Sequence, residues 1–182
     1  MHRFTLFLFI LASFGLSSCE EIEEAANIEL DTEFTETFVF NATEATDTLS
    51  GAANFSESGR IDLNQGETAQ YLDNLRELEI ERLELRVLSY QGTQTAQFSG
   101  AMDFGAGRVL TIEALNLQDY LVQGQVYNLE DEAGTYAYIT DVLLNGDEHE
   151  IEYFLGATIS EVPVSATIQI TYLLRATANP LD

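Results

Sequence analysis

His149 is the one imidazole beyond residue 2, and Cys19 is the one thiol. Acid–base, nucleophilic and metal chemistry must therefore be built from these two, or from hydroxyls, phenols and carboxylates. A zinc centre needs three or four nitrogen- and sulfur-rich ligands, and the chain does not supply them. His149-Glu150-Ile151-Glu152-Tyr153 begins like a zinc-protease motif but lacks the second histidine, and it sits in an alternating, strand-like segment. His149 is expected to be a solvated turn residue. A nucleophile needs an adjacent base. There is no G-x-S-x-G, and the absence of lysine removes Schiff-base and Ser-Lys chemistry. No glycine loop has phosphate-binding spacing. Carboxylate pairs can hydrolyse glycosides, but among 31 Asp and Glu a pair carries no information. The segment from Asp62 to Asp73 starts like a calcium-binding EF-hand loop. Its Gly66 falls at the fifth position instead of the sixth, and its twelfth residue is Asp instead of Glu. Irregular calcium sites at residues 128–132 (NLEDE) or 145–150 (NGDEHE) stay open, as does a tyrosine-lined sugar site around Tyr136 and Tyr138. No catalytic residue, metal-ligand set or cofactor is assigned, and a non-enzyme is expected.

Cys19 is different, because its surroundings are organised. Arg3 precedes an apolar run, Phe4 to Phe14, which has the length of a signal-peptide core and is too short to span a bilayer. Gly15, Ser17 and Ser18 follow, then Cys19, then Glu20-Glu21-Ile22-Glu23-Glu24. The order Leu16-Ser17-Ser18-Cys19 resembles the lipobox of bacterial lipoproteins. That resemblance implies a diacylglycerol on the Cys19 sulfur, cleavage before the cysteine, and acylation of the new amino group. One chain anchors only reversibly, whereas two or three make attachment effectively permanent. In the family rule for Gram-negative lipoproteins, Glu20 in place of Asp implies the outer membrane. The acidic run resembles the patch that exports Bacteroidota lipoproteins to the cell surface; as a plain sequence it is a solvated tether. Asp47-Thr48-Leu49 resembles the O-glycosylation acceptor of the same group. The run of elements and the ATANPL ending resemble small uncharacterised Bacteroidota lipoproteins, a group that implies no activity.

The elements that must position these residues follow from periodicity. Ile28, Leu30, Phe34, Phe38 and Phe40 share one parity, as a half-buried strand requires. Glu36 interrupts that inward set and is expected to mark a bend or bulge. Residues 47–56 and 60–63 are weaker strands. Residues 67–78 show helical spacing through Tyr71, Leu72, Leu75 and Leu78. Leu83, Leu85 and Val87 alternate again. Strands are predicted over 96–104 and 108–115, one helical turn within 116–124, a helix over 130–145, and strands over 149–159 and 164–178. In the last of these, Val164, Ala166, Ile168, Ile170, Tyr172, Leu174 and Ala176 all share a parity. The expected fold is mainly β: an antiparallel β-sandwich of about seven or eight strands with two short helices in the connections, or else a partly closed β-barrel. The expected layout is a signal peptide over 1–18, lipidated cysteine and acidic tether over 19–26, and one sandwich domain over 27–182. The expected function is a non-enzymatic structural or interaction module on the outer membrane. The alternative is a surface lipoprotein that binds glycan or calcium. The expected partners are the membrane, through the lipid on Cys19, and an envelope protein or a glycan.

Charge narrows the partners. The chain carries seven basic residues, all Arg, and a formal charge of −24. Removing residues 1–18 takes away Arg3 and no acid, leaving six Arg against 31 carboxylates, a net of −25. Such a surface repels nucleic acid and anionic lipid. Acid excess without lysine resembles the bias of halophilic proteomes. Self-repulsion of this size costs stability at low ionic strength, and screening recovers it. The melting temperature is expected to rise markedly from ~10 mM to ~1 M NaCl, as the Debye length shrinks from ~30 Å to ~3 Å. KCl should act equally. A melting temperature flat across the series would refute self-repulsion as a significant factor.

Overall fold

The computed structural model describes residues 27–131 and 133–180. Cys19, the signal segment and the acidic tether lie outside the described residues, as does Glu132. Eight strands form: β1 (Ile28–Ala42), β2 (Ala53–Asp62), β3 (Leu75–Gln91), β4 (Gln97–Asp103), β5 (Val109–Asn116), β6 (Val126–Asn128), β7 (Glu150–Ile159) and β8 (Val164–Ala178). A 3₁₀ helix spans Glu67–Asn74, α1 spans Leu117–Gln123, and α2 spans Thr135–Asn145. The strands make two four-stranded sheets, ordered β1-β8-β3-β6 and β2-β7-β4-β5. Every pairing is antiparallel. First pairs with last, second with seventh, third with sixth and fourth with fifth. A long antiparallel ribbon folded over on itself gives that nesting, which is the topology of a jelly roll. The expected sandwich is therefore the observed fold, and the two sheets stay separate without closing into a barrel.

Strand position explains which segments alternate cleanly. β8 lies between β1 and β3, and its residues from Val164 to Ala178 are buried at every second position. β7 is central in the other sheet and buries Ile151, Tyr153, Leu155, Ala157 and Ile159. Between them the two inner faces bury Phe40, Phe98, Met102, Leu83 and Leu85. β1, β3 and β8 are longer than the strands opposite. The 3₁₀ helix packs against β1 and β8, and α2 packs against β3 and β7, covering the overhang.

Several boundaries differ from the sequence expectation, each for a local reason. The 67–78 helix is a 3₁₀ turn that stops at Asn74, because β3 begins at Leu75 and pairs with Ala178. Leu75 and Leu78 are thus strand residues. α2 begins at Thr135, not at residue 130, since Gly134 takes a left-handed φ of 70° immediately before it. The weak segments 47–56 and 60–63 merge into one edge strand, β2, preceded by a turn at Asp47–Ala52. The turn expected within 116–124 is a full helix, α1, with Asn116 Oδ1 accepting the Asp119 N–H at its start (2.9 Å).

Glu36 causes no bulge: the β1–β8 register runs unbroken through the Glu36–Ile170 pair. The side chain points inward because it has partners there. Its Oε1 accepts the Arg60 N–H from β2 (2.7 Å), and its Oε2 accepts the Tyr153 hydroxyl from β7. Gly59 makes room, because a Cβ at that position would collide with both the Glu36 carboxylate and the Tyr153 phenol. Burial foremost, and the bond to Glu36 second, push the Tyr153 phenol far above its ordinary pKa. It therefore stays a donor. Tyr172, fully buried, packs tilted against Tyr153 with ring centroids 5.9 Å apart. Glu36→Ala is expected to lower unfolding free energy by ~1–3 kcal/mol, the cost of a buried donor left without its acceptor. Gly59→Ala should cost a similar ~1–3 kcal/mol by overpacking. Urea titration reads both, and an unchanged midpoint in either variant would contradict the seam described.

Candidate interaction groove

The residues flagged by sequence are mostly occupied in holding the fold. His149 sits in the turn between α2 and β7 at a φ of 52°. Its Nδ1–H donates to Leu143 O (3.0 Å), and its own carbonyl accepts the Leu63 N–H (3.0 Å). It is a half-buried stitch between two connections. Asp62 turns its carboxylate onto Asn64 and Gln65, and hydrogen bonds from those two side chains hold its pKa below the usual carboxylate range. Asp131, in the NLEDE segment, accepts the backbone N–H groups of Thr135 (2.7 Å) and Tyr136 (3.0 Å). It caps α2 in place of Gly134, which has no side chain to do so. Among the described residues, no group of three His, Cys, Asp or Glu is placed to share a metal ion. Tyr136 donates its hydroxyl to Leu129 O (2.6 Å), and burial pushes its pKa up to about 12. The Tyr138 ring lies under the Arg108 guanidinium, 5.9 Å from its centroid. The two tyrosines thus brace α2. Thr48 is exposed in a turn that Asp47 ties together, through the Leu49 N–H (3.0 Å) and the Ser50 hydroxyl (2.7 Å).

What remains open lies on the opposite edge of the sandwich from β1 and β2. β5 and β6 are the outer strands there, and β6 is three residues long. A groove of about 490 Å³ runs between β5 and the stretch leading from β6 to α2. Val109, Thr111 and Glu113 line one side; Tyr127, Asn128, Glu130 and Ala133 line the other.

The direction of the β5 backbone groups follows from its hairpin. The Phe104 N–H donates to Arg108 O (2.9 Å), and the register continues as Met102–Leu110 and Gly100–Ile112. In an antiparallel ladder hydrogen-bonded and non-bonded pairs alternate. Leu110 and Ile112 therefore turn their amides towards β4, whereas Val109, Thr111 and Glu113 turn theirs into the groove. Two contacts agree with this phase: the Glu113 N–H donates to the Tyr127 hydroxyl (3.4 Å), and Val109 O accepts the Thr135 hydroxyl (3.5 Å). Between these two contacts, the N–H and C=O of Thr111 meet no partner among the described residues.

Leu129 and Ala133, in the far wall, are each held by hydrogen bonds. Leu129 donates its N–H to Leu83 O (2.9 Å) and accepts from Tyr136. Arg108 donates to Ala133 O (2.6 Å). Sequence reasoning did not find this groove. β6 is too short to show alternation, and the unpaired state of Thr111 depends on where the chain returns.

No protein-family model matches this chain, and no curated protein does. Among solved structures it is similar to the decameric BFDV capsid protein, with a TM-score of 0.42 and 10% identity over 82% of this chain and 99% of that one. A likeness so distant carries no argument; the fold rests on the strand order.

Asp131→Ala should remove the cap that ends the groove wall. The expected loss is ~1–2 kcal/mol of unfolding free energy. Faster hydrogen exchange should appear at the amides of Thr135 and Tyr136. Unchanged exchange at both would mean that the carboxylate does not cap α2.

Proposed function

We propose that this protein is a non-enzymatic, lipid-anchored module of the bacterial outer membrane that holds a protein partner at the envelope. The observation that carries the reading is the groove along β5. Elsewhere the polar side chains that sequence singled out are consumed in capping, turn and seam contacts. On β5 the N–H and C=O of Thr111 face a preformed cleft with no partner among the described residues. That is a feature of recognition and not of bond-breaking chemistry. The lipobox-like Leu16-Ser17-Ser18-Cys19 supports the anchor, and Glu20 supports the outer membrane as its destination.

The anchor has a direct test. In cells fed labelled palmitate, the wild-type chain is expected to take up label and to fractionate with membranes. Cys19→Ala should lose the label and stay unprocessed at residue 19. Equal labelling of the two chains would sink the lipoprotein reading.

A further inference from the structure

We propose that the β5 groove binds an extended, basic segment of a partner protein by β-strand addition. This rests on the reading of the chain as an interaction module, and it does not depend on the lipid.

Three observations converge on that occupant. The first is the backbone: Thr111 presents one donor and one acceptor outward in a strand conformation, between Val109 and Glu113, whose O and N–H respectively are held only by the Thr135 and Tyr127 hydroxyls at 3.5 and 3.4 Å. An added strand needs such a row of edge groups. The second is size. From Val109 to Glu113 the edge extends roughly 13 Å at the usual strand rise; a guest pairs first with Thr111 and must displace the Tyr127 and Thr135 hydroxyls to pair with Glu113 and Val109 as well. The groove's 490 Å³ holds a short extended segment and does not suit a helix. The third is charge. Glu113 and Glu130 stand on opposite walls, and the whole chain carries −24. Arg108, the nearby cation, is committed to Ala133 O and the Tyr138 ring. A guest strand alternates its side chains, so Lys or Arg at every second position can face these carboxylates. Asn128 and the Tyr127 hydroxyl offer further polar contacts. An acidic guest, including the chain's own Glu20–Glu24 stretch, is repelled.

The experiment uses the full-length chain in detergent micelles and a fluorescein-labelled, roughly eight-residue peptide that alternates Lys with Val. Three companions share its length: one with Glu for Lys, one N-methylated at alternate backbone nitrogens, and one with Arg for Lys. Fluorescence anisotropy should show saturable binding of the Lys and Arg peptides that weakens with salt, and none of the Glu or N-methylated peptides. Thr111→Pro removes the outward N–H at a site where an edge strand tolerates proline, and it should weaken binding at least tenfold. Glu113→Gln with Glu130→Gln should weaken it and flatten its salt dependence. On the wild-type chain, hydrogen exchange at the Thr111 amide should slow when the Lys peptide is present. That measurement decides the matter if Thr111→Pro fails to fold. The proposal is overturned if neither basic peptide binds, if the N-methylated peptide binds equally well, or if Thr111 exchange is unmoved. It is overturned too if a neutral glucan such as laminarin protects the groove and the peptides do not. Loss of palmitate labelling with peptide binding intact would remove the anchor and leave the groove.

Discussion

A sandwich of two open sheets has four edges, and each edge strand carries backbone donors and acceptors with no neighbour to take them. That constraint organises much of what is distinctive here. Unprotected edges template pairing with other chains, so they must be blunted. On β1 the outward side chains near its start are Glu29, Asp31 and Glu33, all exposed, and like charges would face any copy that tried to pair there. On β2 an edge N–H, that of Arg60, is taken by Glu36 reaching over from the other sheet. The β3 flank beyond the short β6 is covered by α1 and α2. β5 is treated differently: Tyr127 and Thr135 take groups at its two ends and leave Thr111 between them.

Glu36 also shows how one carboxylate can join two sheets without an ion pair. Its two oxygens go to different elements of the opposite sheet, a main-chain amide of β2 and a phenol of β7. The bond to a charged acceptor is the stronger kind, and Tyr153, held far above its ordinary pKa, cannot lose the proton it donates. Tyr172 completes the cluster from β8. Burial first, and then the nearness of Tyr153, raise its phenol as well. No described group accepts the Tyr172 proton in good geometry. The seam thus keeps a polar cluster among Phe38, Phe104 and the two tyrosine rings, which pack edge-on or tilted around it.

The sequence showed most clearly what lies in the middle of a sheet. β8 has neighbours on both sides and a core beneath it, so its inward positions must all be apolar, and the parity from Val164 to Ala176 was plain. Edge strands answer to fewer neighbours. β2 carries Ser56, Glu57 and Ser58, none of them buried, and its pattern read as two weak pieces. Glu36 looked like a defect in β1 because its partners, Gly59, Arg60 and Tyr153, are distant in sequence and meet only after the ribbon folds. The same holds for the groove. Thr111 is an ordinary strand threonine until the phase of the Phe104–Arg108 hairpin and the return of residues 127–131 decide what its amide faces. The helical spacing of Tyr71 to Leu78 misled for a related reason. Leu78 is buried and Leu75 half-buried from a strand, and pairing with β8 overrode local preference.

The placement of the groove suits an anchored module. The chain enters the sandwich at Ile28, at the start of β1, and β1 lies at one edge of its sheet. β5 and β6 lie at the other edge, three strand spacings away, or about 14 Å. The proposed lipid on Cys19 would hold the protein by one flank and leave the other to meet a guest strand. The charge serves the same arrangement. With residues 1–18 removed, as the proposed anchor requires, a net charge of −25 would be repelled from an anionic headgroup layer and would keep the domain off the bilayer. The same field draws a basic segment towards the chain, and the unpaired backbone of Thr111 then supplies a contact that charge alone cannot give. Electrostatics sets the rate and the sign of the partner, and the edge sets its conformation. Salt should divide the two: it weakens long-range attraction between exposed charges, while hydrogen bonds formed inside the groove feel it less.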